Sequence, residues 1–174
     1  KVQEKDETLM ILYNYLGALY NRLGKYKESI DSYKQSLSFS SHSNQNIAVV
    51  HSNIGLLYCD LDKYDEALQY EDMALKAANE LIEDTISRKK ILSSVYNNIG
   101  VIHSKMGNSR MALEFFKHSI SIDVELYASD NIILAKSYNN VGSTYRELGE
   151  LDSALTYQKM ALEIREKAYG VQHP

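Results

Sequence analysis

Four stretches of the chain repeat one order of large, aliphatic and small positions. In each, a ring-bearing residue is followed three positions later by an aliphatic residue and then directly by glycine, and a second ring comes three residues after the glycine. The four glycines are Gly17, Gly55, Gly100 and Gly142. Small residues recur twelve and nineteen positions after each glycine, as Ser29, Ala67, Ala112 and Ala154 and as Ser36, Ala74, Ser119 and Ala161. Self-similarity of this kind predicts a repeat array.

The spacing within each copy predicts two helices. The first ring, the aliphatic residue and the second ring lie three and four residues apart, so they share one face of an α-helix. Glycine inside a helix costs about 1 kcal/mol relative to alanine, so its recurrence indicates that a side chain there would collide with a neighbouring helix. Residue types that tolerate left-handed backbone follow seven positions later: Gly24, Asp62, Gly107 and Gly149. Each copy is therefore predicted to be helix, short turn, helix, giving eight helices and no strand.

These offsets resemble the tetratricopeptide repeat, whose signature combines a large residue, Leu-Gly and an aromatic with a later alanine and aromatic. The resemblance implies an all-α fold, an α-α superhelix (TPR solenoid) of four helix-turn-helix repeats forming a single array over residues 1–174. The repeats are expected at approximately 8–41, 46–86, 91–127 and 133–169. Glu71 and Gln158 replace the aromatic of the second helix in two copies. A rim-facing side chain or a polar contact is expected there.

The repeats are longer than usual. Successive glycines are 38, 45 and 42 residues apart, against a common tetratricopeptide period of about 34, so we expect longer second helices. The proline that usually closes the repeat is missing, with Ser41, Asn79, Val124 and Glu166 in its place. The run 157–174 looks like the corresponding segment of kinesin light chains, which suggests the long-repeat subclass of scaffold proteins. It ends where a further repeat would start, so we expect a piece of a longer array with an uncapped last face and weak end-to-end self-association.

Composition narrows the classes of partner. The net charge is −4, which argues against nucleic acid, because affinity for phosphates depends on clustered lysine and arginine. No stretch approaches the roughly 18 consecutive apolar residues of a membrane-spanning helix, and the polar start of the chain does not resemble a secretory signal. The single cysteine, Cys59, has no partner for an internal disulfide. We therefore expect a cytoplasmic protein without a nucleic-acid or membrane partner.

Catalytic chemistry is not indicated. The sequence has no phosphate loop, no Cys-x2-Cys pair and no His-Glu-x2-His helix. His51 and His103 stand at ring positions of the repeat, so packing is favoured over metal binding. Cys59 follows Tyr58 on a first helix and is expected to be structural or to line the groove. We therefore expect no enzyme activity, no catalytic residue, no bound metal and no cofactor.

Candidate binding residues follow from the repeat register. The resemblance implies that the first helix of each repeat lines a concave groove. Two residues before the glycines stand Tyr15, Asn53, Asn98 and Asn140, preceded by Asn14, Asn97 and Asn139. A carboxamide carries both a donor and an acceptor and can hold the backbone of a peptide. The alternative is that these asparagines cap or bridge adjacent helices.

Charge on the same helices adds to this hypothesis. Along the first helices lie Arg22, Asp60, Lys105, Lys136, Arg146 and Glu147, four cations and two carboxylates, which favours an acidic or phosphorylated peptide unless the charges are scattered by chance. Lys105, Lys136 and Arg146 therefore join the asparagines as expected groove residues. The carboxylate clamp of chaperone-binding tetratricopeptide domains is poorly met, because Asn14, Ser94 and Asn98 fill its basic places.

The leading hypothesis for function is a non-catalytic adaptor or scaffold module that binds an extended or helical peptide segment of another protein. The alternative is a peptide-sensing regulatory domain of a larger signalling or transcription-regulating protein. A substrate-docking arm of an enzyme also stays open.

Overall fold

A computed structural model describes residues 2–39, 44–81 and 85–169. Over these ranges the chain forms eight α-helices and no strand, as the sequence predicts. The helices are α1 Val2–Arg22, α2 Tyr26–Ser38, α3 Asn44–Asp60, α4 Tyr64–Asn79, α5 Thr85–Lys105, α6 Ser109–Leu126, α7 Ile132–Glu147 and α8 Leu151–Tyr169. We call α1, α3, α5 and α7 the first helices and α2, α4, α6 and α8 the second helices. Ser41 and residues 170–174, used in the sequence argument, lie outside the described residues.

The chain divides into two compact units, and each is described by itself. Unit 1 comprises residues Lys1–Ile91 and unit 2 residues Leu92–Pro174, with the boundary inside α5. In unit 1, α1 packs on α2 and α3 on α4, and in unit 2, α7 packs on α8. The single array of four repeats stays a prediction.

The turn inside each helical pair has the predicted backbone. Gly107 has φ +78° and Asp62 has φ +57°, both in the left-handed region. The residue after Asp62 then donates its N–H to the carbonyl of Tyr58 at 2.9 Å, which closes the end of α3. Among the described residues, Asp62 is the non-glycine residue with positive φ. Aspartate is one of the few residue types that tolerate this conformation.

The repeated glycines lie at tight helix crossings. A Cβ atom on Gly17 would come within 2.6 Å of the Tyr33 ring, and one on Gly100 within 2.7 Å of the Phe116 ring. A Cβ on Gly55 would meet a carboxylate oxygen of Glu71 at 3.0 Å. The predicted reason for the glycines is thereby confirmed: the second helix occupies the space that a side chain would need.

The extra length of the repeats is shared by both helices of a pair. The second helices have 13, 16, 18 and 19 residues, and the first helices have 21, 17, 21 and 16. The sequence led us to expect longer second helices, and the structure adds that first helices are long as well. Without a closing proline, nothing in the local sequence confines the added turns to one helix.

Each unit has its own apolar core between a second helix and the next first helix. In unit 1 the core contains Tyr33 of α2 with Val50, Ile54 and Leu57 of α3. In unit 2 the corresponding core contains Ala112 and Phe116 of α6, Val141 and Tyr145 of α7, and Ala154 of α8. In their own units, α3 and α7 therefore bury an apolar face and leave another face for polar side chains.

Candidate functional site

Asparagines on neighbouring first helices form side-chain pairs at the same register in both units. In unit 1 the Nδ2 of Asn53 donates to the Oδ1 of Asn14 at 2.9 Å. In unit 2 the Nδ2 of Asn140 donates to the Oδ1 of Asn97 at 2.8 Å. The donor stands two residues before its glycine and the acceptor three residues before the preceding one. The bridge between helices that the sequence left as an alternative is thus part of this arrangement.

Pairing uses only one side of each donor carboxamide. The Oδ1 atoms of Asn53 and Asn140 accept no hydrogen bond from the described residues. Asn53 and Asn140 are both half-buried, so part of each side chain is accessible to solvent. Each pair therefore holds an acceptor at a fixed place on the surface of its unit.

The other candidate asparagines lie in different surroundings. Asn98 is only 6% exposed, and its Oδ1 accepts a long 3.5 Å bond from Asn97. Asn139 is half-buried, and its backbone carbonyl accepts a 3.3 Å bond from Gln158. Tyr15, at the donor register in α1, is exposed. The structure therefore brings together Asn14 with Asn53 and Asn97 with Asn140, and it seals Asn98 from a large ligand.

A small cleft in unit 2 contains one of these pairing residues. It has a volume of about 140 Å³ and lies along α5 and α7, with Phe116 of α6 contributing. Asn140, Ser143, Lys105 and Glu147 supply polar lining. A cleft of this size admits one side chain or a short stretch of backbone rather than a small-molecule cofactor.

The predicted cations do not all meet in this cleft. Lys105 lines it, whereas Lys136 and Arg146 are exposed on α7 outside its lining. Glu147 also lines it and accepts a 2.8 Å hydrogen bond from Ser109. The first helices of unit 2 thus present three cations and one carboxylate.

Two buried carboxylates were not found by sequence reasoning about sites. Glu71 of α4 accepts a 3.0 Å hydrogen bond from Ser52 of α3 in unit 1. The expected polar contact is therefore present, whereas the expected rim-facing side chain is not, because Glu71 is buried. In unit 2 the buried Asp123 of α6 accepts bonds from Ser93 of α5 and Ser137 of α7. Both carboxylates connect neighbouring helices through hydrogen bonds, and both are too deeply buried to contact a ligand.

A signal for Asp123 exists in the sequence. It lies four residues after Ser119 and seven after Phe116, on the buried stripe of α6. An acid on an apolar stripe needs hydrogen-bond donors, because burying a charge without them is costly. Serines on the neighbouring helices provide those donors.

The remaining reactive side chains pack against rings or within the core. The His51 ring packs against the Tyr70 ring at a tilt of 37°, with ring centres 5.9 Å apart, and His103 stacks on Phe115 at 5.5 Å. Burial lowers the pKa of both imidazoles. Cys59 is buried. Within the described ranges, no group of three or more His, Cys, Asp or Glu side chains could hold a metal ion.

Helical hairpins with a glycine crossing, a left-handed turn and a second helix packed on the next first helix define an α-helical repeat protein. The tetratricopeptide repeat family model matches residues 7–80 and 92–167. The chain belongs to the tetratricopeptide repeat family, whose members are interaction modules. No curated protein is significantly similar to it in sequence. Over the described residues, no helix is both long enough and apolar enough to cross a membrane.

Solved structures share the fold at low sequence identity. The crystal structure of BtubC (BKLC) from P. vanneervenii is 22% identical, with a TM-score of 0.78 over 97% of this chain and 67% of that one. The structure of MamA is 22% identical, with a TM-score of 0.65 over 91% of this chain and 80% of that one. The apo form of RapI is 22% identical, with a TM-score of 0.77 over 91% of this chain and 57% of that one. These similarities concern the fold, and the kinesin-light-chain subclass stays a prediction.

Proposed function

We propose that the chain is a non-catalytic adaptor or scaffold module that binds a peptide segment of another protein on its first helices. The binding atoms are the Oδ1 acceptors of Asn53 in unit 1 and Asn140 in unit 2. The observation that carries the proposal is the recurrence of the same asparagine pair, at the same register, in both units.

The pairing supports binding because it fixes the carboxamide before the peptide arrives. An isolated asparagine loses rotamer freedom when it binds, and that loss opposes affinity. Asn140 is already held by its bond to Asn97, so its Oδ1 can accept a peptide N–H at little further entropic cost. Acceptors of this kind contact peptide backbone and are indifferent to most peptide side chains.

Charge gives the proposed ligand a sign. The first helices of unit 2 present Lys105, Lys136 and Arg146 against Glu147, while the whole chain has a net charge of −4. An acidic or phosphorylated segment is therefore attracted to this face. Exposed charges act mainly on the association rate and are screened by salt.

The test starts from a displayed library of random peptides selected on the purified chain, because this supplies a defined ligand. Binding of one selected peptide is then measured by fluorescence anisotropy for the parent chain and for Asn140→Ala. Losing one neutral hydrogen bond costs roughly 0.5–1.5 kcal/mol, so we expect about 2- to 13-fold weaker binding. Asn53→Ala is measured in the same way and identifies which unit holds the peptide.

Asn108→Ala is the matched control. Asn108 is an exposed asparagine of unit 2 whose side chain makes no capping hydrogen bond, so its replacement should leave affinity unchanged. Circular dichroism checks that every variant keeps its helical content. If neither Asn140→Ala nor Asn53→Ala weakens any selected peptide, the asparagine surface is not the binding site.

A further inference from the structure

The small cleft of unit 2 has room for one peptide side chain of moderate size. Its volume is about 140 Å³, and a water molecule takes up about 30 Å³ in the liquid, so about four or five non-hydrogen atoms fit. Leucine, lysine, the two acids and their two amides have side chains of this size, whereas aromatic rings and arginine are larger. Size therefore leaves aliphatic, charged and carboxamide side chains to be distinguished.

The most deeply buried part of the cleft suits the stem of such a side chain. Phe116 of α6 is 4% exposed and Thr144 of α7 is 2% exposed, and both line the cleft. The hydroxyl of Thr144 donates to the backbone carbonyl of Asn140 at 2.9 Å, so its proton is already engaged. An entering side chain therefore meets apolar groups there, and its polar atoms must find partners among the other lining residues.

Two serine hydroxyls on different helices can supply donors. Ser104 of α5 and Ser143 of α7 are half-buried and line the cleft. The hydroxyl of Ser104 makes no hydrogen bond with any residue that the structure describes. The Oγ of Ser143 accepts a long 3.4 Å bond from Gln158, and its proton can still be donated. An aliphatic side chain would separate both hydroxyls from water without replacing their hydrogen bonds, which is costly.

The charges at the cleft balance each other. Lys105 and Glu147 both line it and both are exposed. The Oε2 of Glu147 accepts a 2.8 Å bond from Ser109, and its second oxygen can accept another. A carboxylate in the cleft would be repelled by Glu147, and an ammonium group would be repelled by Lys105. A neutral side chain with both a donor and an acceptor meets neither penalty.

We propose that this cleft is a specificity subsite for a carboxamide side chain, asparagine or glutamine, of the bound peptide. The carboxamide oxygen accepts from the serine hydroxyls, and its NH2 group donates to Glu147. Asn140 also lines the cleft, so its Oδ1 holds the peptide backbone directly beside the side chain that enters. The inference rests on the proposed function and adds the residue type that the peptide carries at this point. The surrounding cations attract an acidic segment as a whole, whereas the cleft selects one neutral residue within it.

The first test changes only the peptide, so the fold of the chain is untouched. A displayed library of random peptides is selected on the purified chain, and one peptide whose binding depends on Asn140 is synthesised. Each asparagine or glutamine in it is replaced in turn by the corresponding acid and by leucine. Fluorescence anisotropy should show one position where the acid weakens binding about 10-fold or more and leucine about 2- to 13-fold.

Variants of the chain then assign this position to the cleft. Glu147→Gln keeps an acceptor for Ser109 and removes the charge that repels an acid, so the acidic peptide should bind this variant within about 3-fold of the carboxamide peptide. Ser104→Ala should weaken the carboxamide peptide about 2- to 13-fold and should not weaken the leucine peptide. Ser121→Ala is the matched control, because Ser121 is an exposed serine of α6 outside the cleft. Circular dichroism checks that each variant keeps its helical content.

Several results would overturn the subsite. Equal binding of the carboxamide, acid and leucine peptides at every position would show that the cleft does not select a carboxamide. An acid penalty that is unchanged in Glu147→Gln would place the carboxamide elsewhere. The same holds if every selected peptide depends on Asn53 and none on Asn140.

These results leave the proposed function standing as long as Asn140→Ala or Asn53→Ala weakens binding. If neither substitution weakens any selected peptide, the proposed function fails, and the subsite fails with it.

Discussion

The hairpin of α3 and α4 and the crossing of α5 with α6 solve the same packing problem with different chemistry. In the first, Gly55 faces the buried carboxylate of Glu71, and in the second, Gly100 faces the ring of Phe116. Glu71 is tolerated because Ser52 donates to it. The comparison teaches that the glycine is the fixed requirement of the crossing, whereas its partner can be apolar or polar if the polar one is hydrogen-bonded.

The largest expected effect comes from breaking the fixed element of the comparison. Gly100→Leu places a branched side chain where even a Cβ would lie 2.7 Å from the Phe116 ring. We expect a loss of about 3 kcal/mol or more, because overpacking displaces the second helix on which the unit depends. Urea unfolding of parent and variant measures the loss.

A compensating substitution separates overpacking from a general intolerance of α5. The double variant Gly100→Leu with Phe116→Ala removes the ring that the new side chain would meet. Its loss in free energy of unfolding should be smaller than the sum of the losses of the two single variants. An unchanged melting temperature for Gly100→Leu would show that the crossing is not tight.

The second effect sharpens the polar side of the comparison. Glu71→Ala removes the acceptor for Ser52 and leaves a cavity at the Gly55 crossing, so we expect a loss of about 2–3 kcal/mol. Glu71→Gln keeps the shape and an acceptor and should cost about 1 kcal/mol. Chemical denaturation measures both.

Glu114→Ala is the control, because Glu114 is an exposed glutamate on a second helix. If Glu71→Ala is no more costly than Glu114→Ala, the carboxylate does not contribute to the crossing.

The smallest expected effect concerns His51 and His103, which pack against aromatic rings beside the two crossings. Burial lowers the pKa of His51 and of His103, and their buried Nδ1 atoms have no hydrogen-bond partner among the residues that the structure describes. Below the unfolded-state pKa of about 6.5 the unfolded chain binds protons that the folded chain does not. The free energy of unfolding therefore decreases as the pH is lowered through this window. The loss ends once the pH drops below the lowered folded pKa.

Tyrosine occupies the equivalent positions elsewhere in the chain, as Tyr96 for His51 and Tyr58 for His103. The double variant His51→Tyr with His103→Tyr should therefore lose less stability than the parent between about pH 7 and about pH 5. Melting temperatures at both pH values give the comparison. Equal losses in parent and variant would assign the acid sensitivity to other groups.

The fold was predictable because its determinants are local and periodic. The glycines, the small residues opposite them and the left-handed turn at Asp62 each have one structural explanation. Helix lengths were not predictable in the same way, because no proline marks where the second helices end. The repeat register predicts which residue of the second helix faces each glycine. It does not predict that Glu71 is buried there, because its burial depends on a hydrogen bond from Ser52 on another helix.

The candidate site was predictable in residue type and only partly in geometry. The register placed asparagines on the first helices, but which of them pair depends on the separation between neighbouring helices. Asn97 and Asn140 pair, whereas Asn98, one residue from Asn97, is buried. A one-residue step turns a helical side chain by about 100°, so Asn97 and Asn98 lie on different faces of α5. Which of the two faces meets the asparagine of α7 depends on how the helices pack.

The central claim is that a paired asparagine accepts a hydrogen bond from a peptide backbone N–H. The most direct test is a scan of the selected peptide with single N-methyl amides, measured by anisotropy against the parent chain and Asn140→Ala. One N-methyl position should weaken binding to the parent about 2- to 13-fold and have no further effect on Asn140→Ala, because both changes remove the same bond. If the two effects add in full at every N-methyl position, Asn140 does not accept a bond from the peptide backbone and the claim is contradicted.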